Sequence, residues 1–255
     1  MGKYSFDAVI FDLDGVITKT AKVHAAAWKC MFDEYLQLRA QRDGGVFKEF
    51  TYEGDYLTYV DGKPRYKGVE SFLTSRGINI DFGREDDSPD TETVCGLGNR
   101  KNKSFTKVLE NDGVEVYPST VALMKDLKDK NIHIGVASSS KNCEYVLKAA
   151  ELESFVETRV DGVVSMQLGL KGKPHGDIFV RAAENIGVVP SYSIVVEDAV
   201  SGVQAGVNGG FGLVIGVARE NNEDDLKKNG ADIVIDDFAG ITTEVVEEWF
   251  CRKNQ

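Results

Sequence analysis

The 255 residues include only four cysteines, five prolines and two tryptophans. Cys30, Cys95, Cys143 and Cys251 lie far apart with no CxxC pair. A chain this long and apolar buries a core without covalent staples, so free thiols in a reducing compartment are expected. No apolar run approaches the roughly 18 residues that span a bilayer. The start, MGKYSFDAVIFDLDG, lacks a signal peptide's apolar stretch and small-residue cleavage site. A cytoplasmic protein without membrane attachment is therefore expected, taken as a monomer. Positive charge is also short: 30 Lys and Arg stand against 41 Asp and Glu, a formal net charge of −11. That balance repels a phosphate backbone and argues against a nucleic-acid partner. No internal repeat occurs, and Gly96-Leu97-Gly98 neither follows a strand nor completes a GxGxxG fingerprint.

What is present is a globular composition, 42% apolar and 28% charged, long enough for one domain carrying a large insertion or for two. Five short apolar runs rich in β-branched residues predict buried strands at Ala8 to Phe11, Ile132 to Ala137, Ile194 to Val196, Leu213 to Val217 and Ile233 to Ile235, with a further fragment near Phe155 to Val160. Helical patterns at Ser119 to Lys130, Asn142 to Ala150 and Pro174 to Asn185 alternate with them. This is the β-α-β order of an α/β, Rossmann-like, doubly wound parallel sheet. The roughly 100 residues between the first two strands far exceed an ordinary crossover. They open with the amphipathic AKVHAAAWKCMFDEYL, pass through a polar stretch from Tyr52 to Tyr66, and regain helical character at Gly68 to Ser75 and near Arg100 to Glu110. An inserted, mainly helical cap at 18–114 is predicted between core segments 1–17 and 115–255. Within it, the acidic, Pro/Gly-punctuated Ile80 to Pro89 reads as an exposed loop.

Chemistry-bearing residues gather at strand ends. Asp12 and Asp14 close the first strand at i and i+2, facing the same way, and Gly15 then allows a sharp turn. Ligands in open α/β sheets bind at this carboxyl edge, although Asp and Gly are also common turn residues. Ser138, Ser139, Ser140, Lys141 and Asn142 follow the second strand, where hydroxyls and backbone N–H groups attract anions or simply cap a helix. Lys173 precedes Pro174, a residue suited to the first helical position. Glu197 and Asp198 end another buried run, a costly arrangement unless a cation or hydrogen bonds compensate them. With Asp12 and Asp14 they make a hard-oxygen cation site. Trp249 and Phe250 read as core residues, and the glycines of GVQAG after the acidic pair as close helix-to-sheet packing.

Taken in order, DxD, a Ser/Thr, a Lys and a terminal acidic pair, the chain resembles the haloacid dehalogenase superfamily, and within it the β-phosphoglucomutase group. Asp12 to Thr18, His24 and Trp28, Lys67-Gly68-Val69, Arg100-Lys101-Asn102, Ser138 to Asn142 and Lys173-Pro174 carry the likeness. The resemblance implies that Asp12 attacks phosphorus and becomes an aspartyl phosphate while Asp14 gives and takes the proton. It implies Mg²⁺ on Asp12, the Asp14 main-chain carbonyl, Glu197 and Asp198. Ser138 and Lys173 would hold the transferring phosphoryl group. Ser139 belongs to the same phosphate-binding run, while Ser140, Lys141 and Asn142 would receive a second phosphate. His24, Trp28, Lys67 and Lys101 would contact substrate from the cap. By residue type alone, Trp28 is core, His24 a satisfied surface histidine, and the two lysines are solvated.

The sequence departs from that group at Ser71, where the resemblance leads one to expect an arginine gripping the non-reacting phosphate. Arg65 or Arg76 could stand in from a nearby turn. Lys19 replaces an acid at the start of the first cap helix, and Phe47 to Tyr66 is extra. The expected activity is an Mg-dependent phosphosugar mutase interconverting β-glucose 1-phosphate and glucose 6-phosphate through a sugar bisphosphate, with its active site between core and cap. A phosphatase acting on a small sugar phosphate through the same aspartyl phosphate is the alternative, and a non-catalytic phosphosugar sensor a more remote one.

Overall fold

The computed structural model describes residues 4–219 and 221–254. It divides into two compact units, Met1–Lys19 with Val114–Gln255, and Thr20–Gly113.

The first unit is built on a parallel six-stranded sheet of order β3-β2-β1-β4-β5-β6. Its strands are β1 (Ala8–Phe11), β2 (His133–Ala137), β3 (Thr158–Val160), β4 (Ser193–Glu197), β5 (Leu213–Val217) and β6 (Ile233–Ile235). Every predicted run is a strand, including the fragment before Val160. β1 is central because all four of its side chains are apolar and at most 1% exposed. A strand covered on both faces reads as a continuous hydrophobic run. Ala8 and Ile10 join Ile178, Phe179, Val195 and Val203 in one packed cluster. From β1 the chain builds β2 and β3 to one side, then crosses back to lay β4, β5 and β6 on the other side of β1. This is the switch point outside which doubly wound sheets bind ligands, at the carboxyl ends of the strands.

The helices of the sheet unit include α4 (Pro118–Asp129), α5 (Cys143–Ala149), α6 (Gly162–Leu168), α7 (Asp177–Asn185) and α8 (Val200–Asn208). One expectation is corrected here. Pro174 does not open a helix, because residues 173–176 form turns and α7 begins at Asp177; the Pro174 carbonyl instead accepts from Asn208 Nδ2 at 2.8 Å. Gly206 packs α8 against Val195 and Val214 as expected, and Phe250 is buried with its ring 5.7 Å from that of Phe6.

The second unit is helical. Along α1 (Thr20–Asp43), the buried residues Trp28, Met31, Phe32, Tyr35 and Leu36 follow the i, i+3, i+4, i+7 spacing of one helix face. They pack with Phe50 and with Phe72 of α2 (Arg65–Ser75), the Phe32 ring lying 4.2 Å from that of Phe72. The polar stretch after Tyr52 forms a nine-residue π-helix, Tyr52–Val60. Its Asp55 carboxylate accepts from the Thr51 N–H and hydroxyl and from Arg76, at 2.8, 2.9 and 2.8 Å. The last helix, α3 (Val94–Asp112), starts well before its visible pattern, because Thr93 caps it by accepting from Gly96 N at 3.0 Å. Gly98 sits there because a Cβ would lie 2.8 Å from the Tyr66 ring. The stretch 79–90 is irregular and mostly exposed.

Candidate active site

The first strand ends in a closed loop. Thr18 donates from its amide and its hydroxyl to the Leu13 carbonyl, at 2.9 and 3.1 Å, and Gly15 N donates to the Thr18 carbonyl at 2.7 Å. Gly15 has φ +87°, and a Cβ there would lie 1.7 Å from Asp198 Oδ2. Glycine is thus needed both for the turn and for the approach of the acidic pair. On this loop Asp12 is buried and Asp14 half-buried.

Asp12, Glu197 and Asp198 each offer a carboxylate oxygen, all within 4.8 Å of one another. Lys173, buried at 5% exposure, reaches Asp12 Oδ1 at 2.5 Å and also pairs with Glu197 Oε1. Glu197 Oε2 accepts from the N–H groups of Asp198 and Ala199, both at 2.8 Å. The carboxylate fits beneath α8 because residue 202 is glycine: a Cβ would lie 1.8 Å from Glu197 Oε1. Burial pushes the Asp12 carboxyl up; Lys173 pulls it back, Glu197 and Asp14 push it further, and it ends well above its ordinary value. For Lys173, burial alone would lower the ammonium, but Asp12 and Glu197 outweigh it and hold it raised. Among the described residues, three carboxylates thus gather in a largely buried site, two of them paired with one ammonium, and the charge of Asp14 acts on Asp12 from nearby. An all-oxygen donor set with that charge imbalance fits a small hard cation.

Beside this cluster, Ser138 is buried at the end of β2, and its Oγ accepts from Ser140 N at 3.0 Å. Ser140 Oγ accepts from Asn142 N at 3.1 Å, a second turn of the same kind. Ser139, Ser140, Lys141 and Asn142 are half-buried. The 139–141 loop lies against Gly162, where a Cβ would meet Ser139 O at 2.8 Å. That glycine is fixed by buried Asp161, which caps α6 by accepting from Val163 and Val164 N, both at 2.9 Å, and pairs with Arg159. The sequence reading missed Asp161, although an Asp-Gly pair directly after a strand was a visible cap signal. Cys143, at the start of α5, is buried, and burial together with the Asp14 charge pushes its thiol well up.

In the cap, Lys101 is buried at 3% exposure, against the expectation for a solvated lysine. Its ammonium lies 5.0 Å from the Trp28 ring and 4.7 Å from that of Phe105, and it contacts His24 Nδ1, whose ring stacks on Phe105 at 3.9 Å. His24, Trp28 and Lys101 therefore form one group. Lys67 does not join it by any described contact; it is exposed and pairs with Glu70 at 2.8 Å. The two arginines named as stand-ins differ. Arg76 is spent on Asp55 and on the Glu49 carbonyl. Arg65 is held by the carboxamide oxygens of Asn102 and Asn99, at 2.7 and 3.5 Å, and burial lowers its guanidinium. Ser71 itself accepts from Lys63 Nζ at 2.9 Å, a lysine the sequence reading did not single out.

The family model for haloacid dehalogenase-like hydrolases matches residues 6–210. A β-phosphoglucomutase of Mycobacterium bovis is 46% identical over 235 residues, covering 91% of this chain and 90% of that protein. One of Bacillus subtilis is 30% identical over 244 residues, 95% of each. A solved β-phosphoglucomutase of Clostridium difficile superposes with a TM-score of 0.76 at 26% identity, covering 97% of this chain and 98% of that one. The chain belongs to the haloacid dehalogenase-like hydrolase family. Its chemistry is phosphoryl transfer.

Proposed function

We propose that this enzyme is a β-phosphoglucomutase, passing a phosphoryl group between the 1- and 6-oxygens of glucose through phosphorylated Asp12. One observation carries the reading: the Asp12 carboxylate is buried at the sheet's switch point, in contact with Lys173 and within reach of Glu197 and Asp198. A buried nucleophile beside a fixed ammonium is arranged for attack on phosphorus rather than for solvent exchange. Asp12 attacks as the bond from phosphorus to the sugar oxygen breaks, and Asp14 supplies the proton that oxygen takes up. Lys173 and the Ser138 hydroxyl hold the oxygens of the transferring group. The half-buried Ser140, Lys141 and Asn142 turn suits a second phosphate. Mg²⁺ on Asp12, Glu197, Asp198 and the Asp14 carbonyl would offset negative charge on the transferring group.

The cap residues His24 and Lys101 are assigned to the sugar phosphate. Lys63 and Arg65 are assigned to the non-reacting phosphate, because the hydrogen bonds described for each are to neutral oxygens. The test supplies Mg²⁺, β-glucose 1-phosphate and a trace of β-glucose 1,6-bisphosphate, and follows glucose 6-phosphate and free phosphate together. Glucose 6-phosphate without free phosphate, absent in Asp12→Asn, is the expected result. Free phosphate as the main product would make the enzyme a phosphatase, and neither product would refute the glucose assignment.

A further inference from the structure

Arg219 lies two residues beyond the end of β5, and none of the roles above uses it. Its Nε donates to the Gly15 carbonyl at 2.8 Å, and its Nη1 donates to the Asp236 carbonyl at 2.9 Å. Nη1 also lies 3.8 Å from the Asp237 carboxylate. The guanidinium covers the Tyr117 ring at 3.6 Å from the centroid, and the side chain is 13% exposed. Tyr117 is itself tied to the loop after β1, because its N–H donates to the Ile17 carbonyl at 2.8 Å. Arg219 therefore grips the 13–18 loop at one point directly and at a second through Tyr117, the residue before α4.

From this geometry we infer that Arg219 is a positioning residue for Asp14. The bond to Gly15 O fixes the peptide that directly follows Asp14, and a charged donor makes that bond shorter and stronger than a neutral one. The ring stack and the second carbonyl fix the plane of the guanidinium, which a lysine ammonium cannot reproduce. Held in this way, the Asp14 carboxyl stays aimed at the oxygen to which it must deliver a proton. A displacement of about 1 Å at such a group costs on the order of 100-fold in rate. This inference rests on the proposed acid–base role of Asp14.

The test uses the leaving group. With a sugar phosphate, the departing oxygen must take a proton from Asp14 as Asp12 bonds to phosphorus. With acetyl phosphate, Asp12 takes the same phosphoryl group while acetate leaves as a stable anion and needs no proton. At saturating Mg²⁺, Arg219→Met is expected to lose about 100-fold in kcat on the sugar phosphate, while the single-turnover burst of acetate slows by no more than about 3-fold. Arg219→Lys should fall between wild type and Arg219→Met on the sugar phosphate. Tyr117→Leu removes the stack but keeps both carbonyl bonds. It should show the same selective loss to a smaller degree, and it carries the comparison if Arg219→Met does not fold. Equal losses on the two donors, or full activity on the sugar phosphate, would overturn the assignment. If Asp12→Asn releases acetate as fast as wild type, the aspartyl-phosphate reading fails instead, independently of Arg219.

Discussion

Gly202→Ala sets two effects of opposite sign against each other. In most helices the substitution is favourable, by about 1 kcal/mol of propensity. In α8 the added Cβ would stand 1.8 Å from Glu197 Oε1 and 1.9 Å from its Cδ, so the carboxylate must move. Glu197 is fully buried. Its move breaks the bonds from Asp198 N and Ala199 N, both 2.8 Å long, at roughly 2 kcal/mol each for donors to a charged acceptor. A loss of about 4 kcal/mol against a gain of about 1 leaves about 3 kcal/mol of destabilisation, or a fall of roughly 6–12 °C in Tm for a chain of this size. The same displacement removes one oxygen from the acidic cluster, so the Mg²⁺ concentration for half-maximal activity should rise. Gly206→Ala is the control on the same helix, since the nearest atoms its Cβ would meet belong to Val214 and Val195, at 3.0 and 3.2 Å. It should cost some stability and leave the metal dependence unchanged. Thermal melts with Mg²⁺ titrations of both variants decide the matter. A Gly202→Ala protein as stable as wild type, with the same Mg²⁺ requirement, would refute the described seating of Glu197.

Three further predictions follow from the same structure. An acid whose folded-state pKa is raised keeps its proton in the folded protein after the unfolded chain has released it. Stability is therefore lost as pH climbs from the ordinary 3.8 to the raised folded value of Asp12. Metal-free Asp12→Asn should accordingly melt higher than wild type at pH 7 and lose that part of the slope of Tm against pH; an unchanged slope would sink the argument. Peptide mapping after maleimide labelling at pH 7 should find exposed Cys30 modified quickly and Cys143 untouched until the protein unfolds, because burial holds that thiol up. Arg65→Ala and Lys63→Ala should each raise KM for the phosphosugar by roughly 10-fold or more with kcat little changed. Arg76→Ala should instead lower Tm, since its buried partner Asp55 is left unpaired; a KM effect at Arg76 and none at Arg65 would reverse the assignment.

The legible parts of this protein are those in which the signal is local. Strands buried on both faces leave apolar runs, and Asp12 with Asp14, or Glu197 with Asp198, stand directly after such runs, so both fold and acid cluster follow from short windows. Groups defined by distant approach were hidden. Nothing near residue 202 says that a carboxylate five positions earlier will turn back beneath the helix, and nothing near Arg219 announces Gly15. In the cap, the absence of an arginine at Ser71 was visible, but the cation that reaches it comes from Lys63 through the turn that closes a π-helix. No simple periodicity predicts that element. The burial of Lys101 was equally invisible, because it depends on Trp28 and Phe105 meeting from two helices.

The two kinds of support around the acid cluster have different consequences. Glu197 is anchored by N–H groups of its own chain as well as by Lys173, whereas the described side-chain anchor of Asp12 is Lys173. Backbone donors keep a carboxylate in place whatever its neighbours' charge state; an ion pair holds only while both partners stay charged. The acid meant to stay fixed is thus the one tied to the backbone. The acid meant to form and break a bond to phosphorus is the one whose described side-chain partner is an ammonium rather than the backbone. A site that tied Asp12 as firmly as Glu197 would lower the energy of the resting carboxylate and raise the barrier to its attack, since only interactions stronger in the transition state accelerate the step.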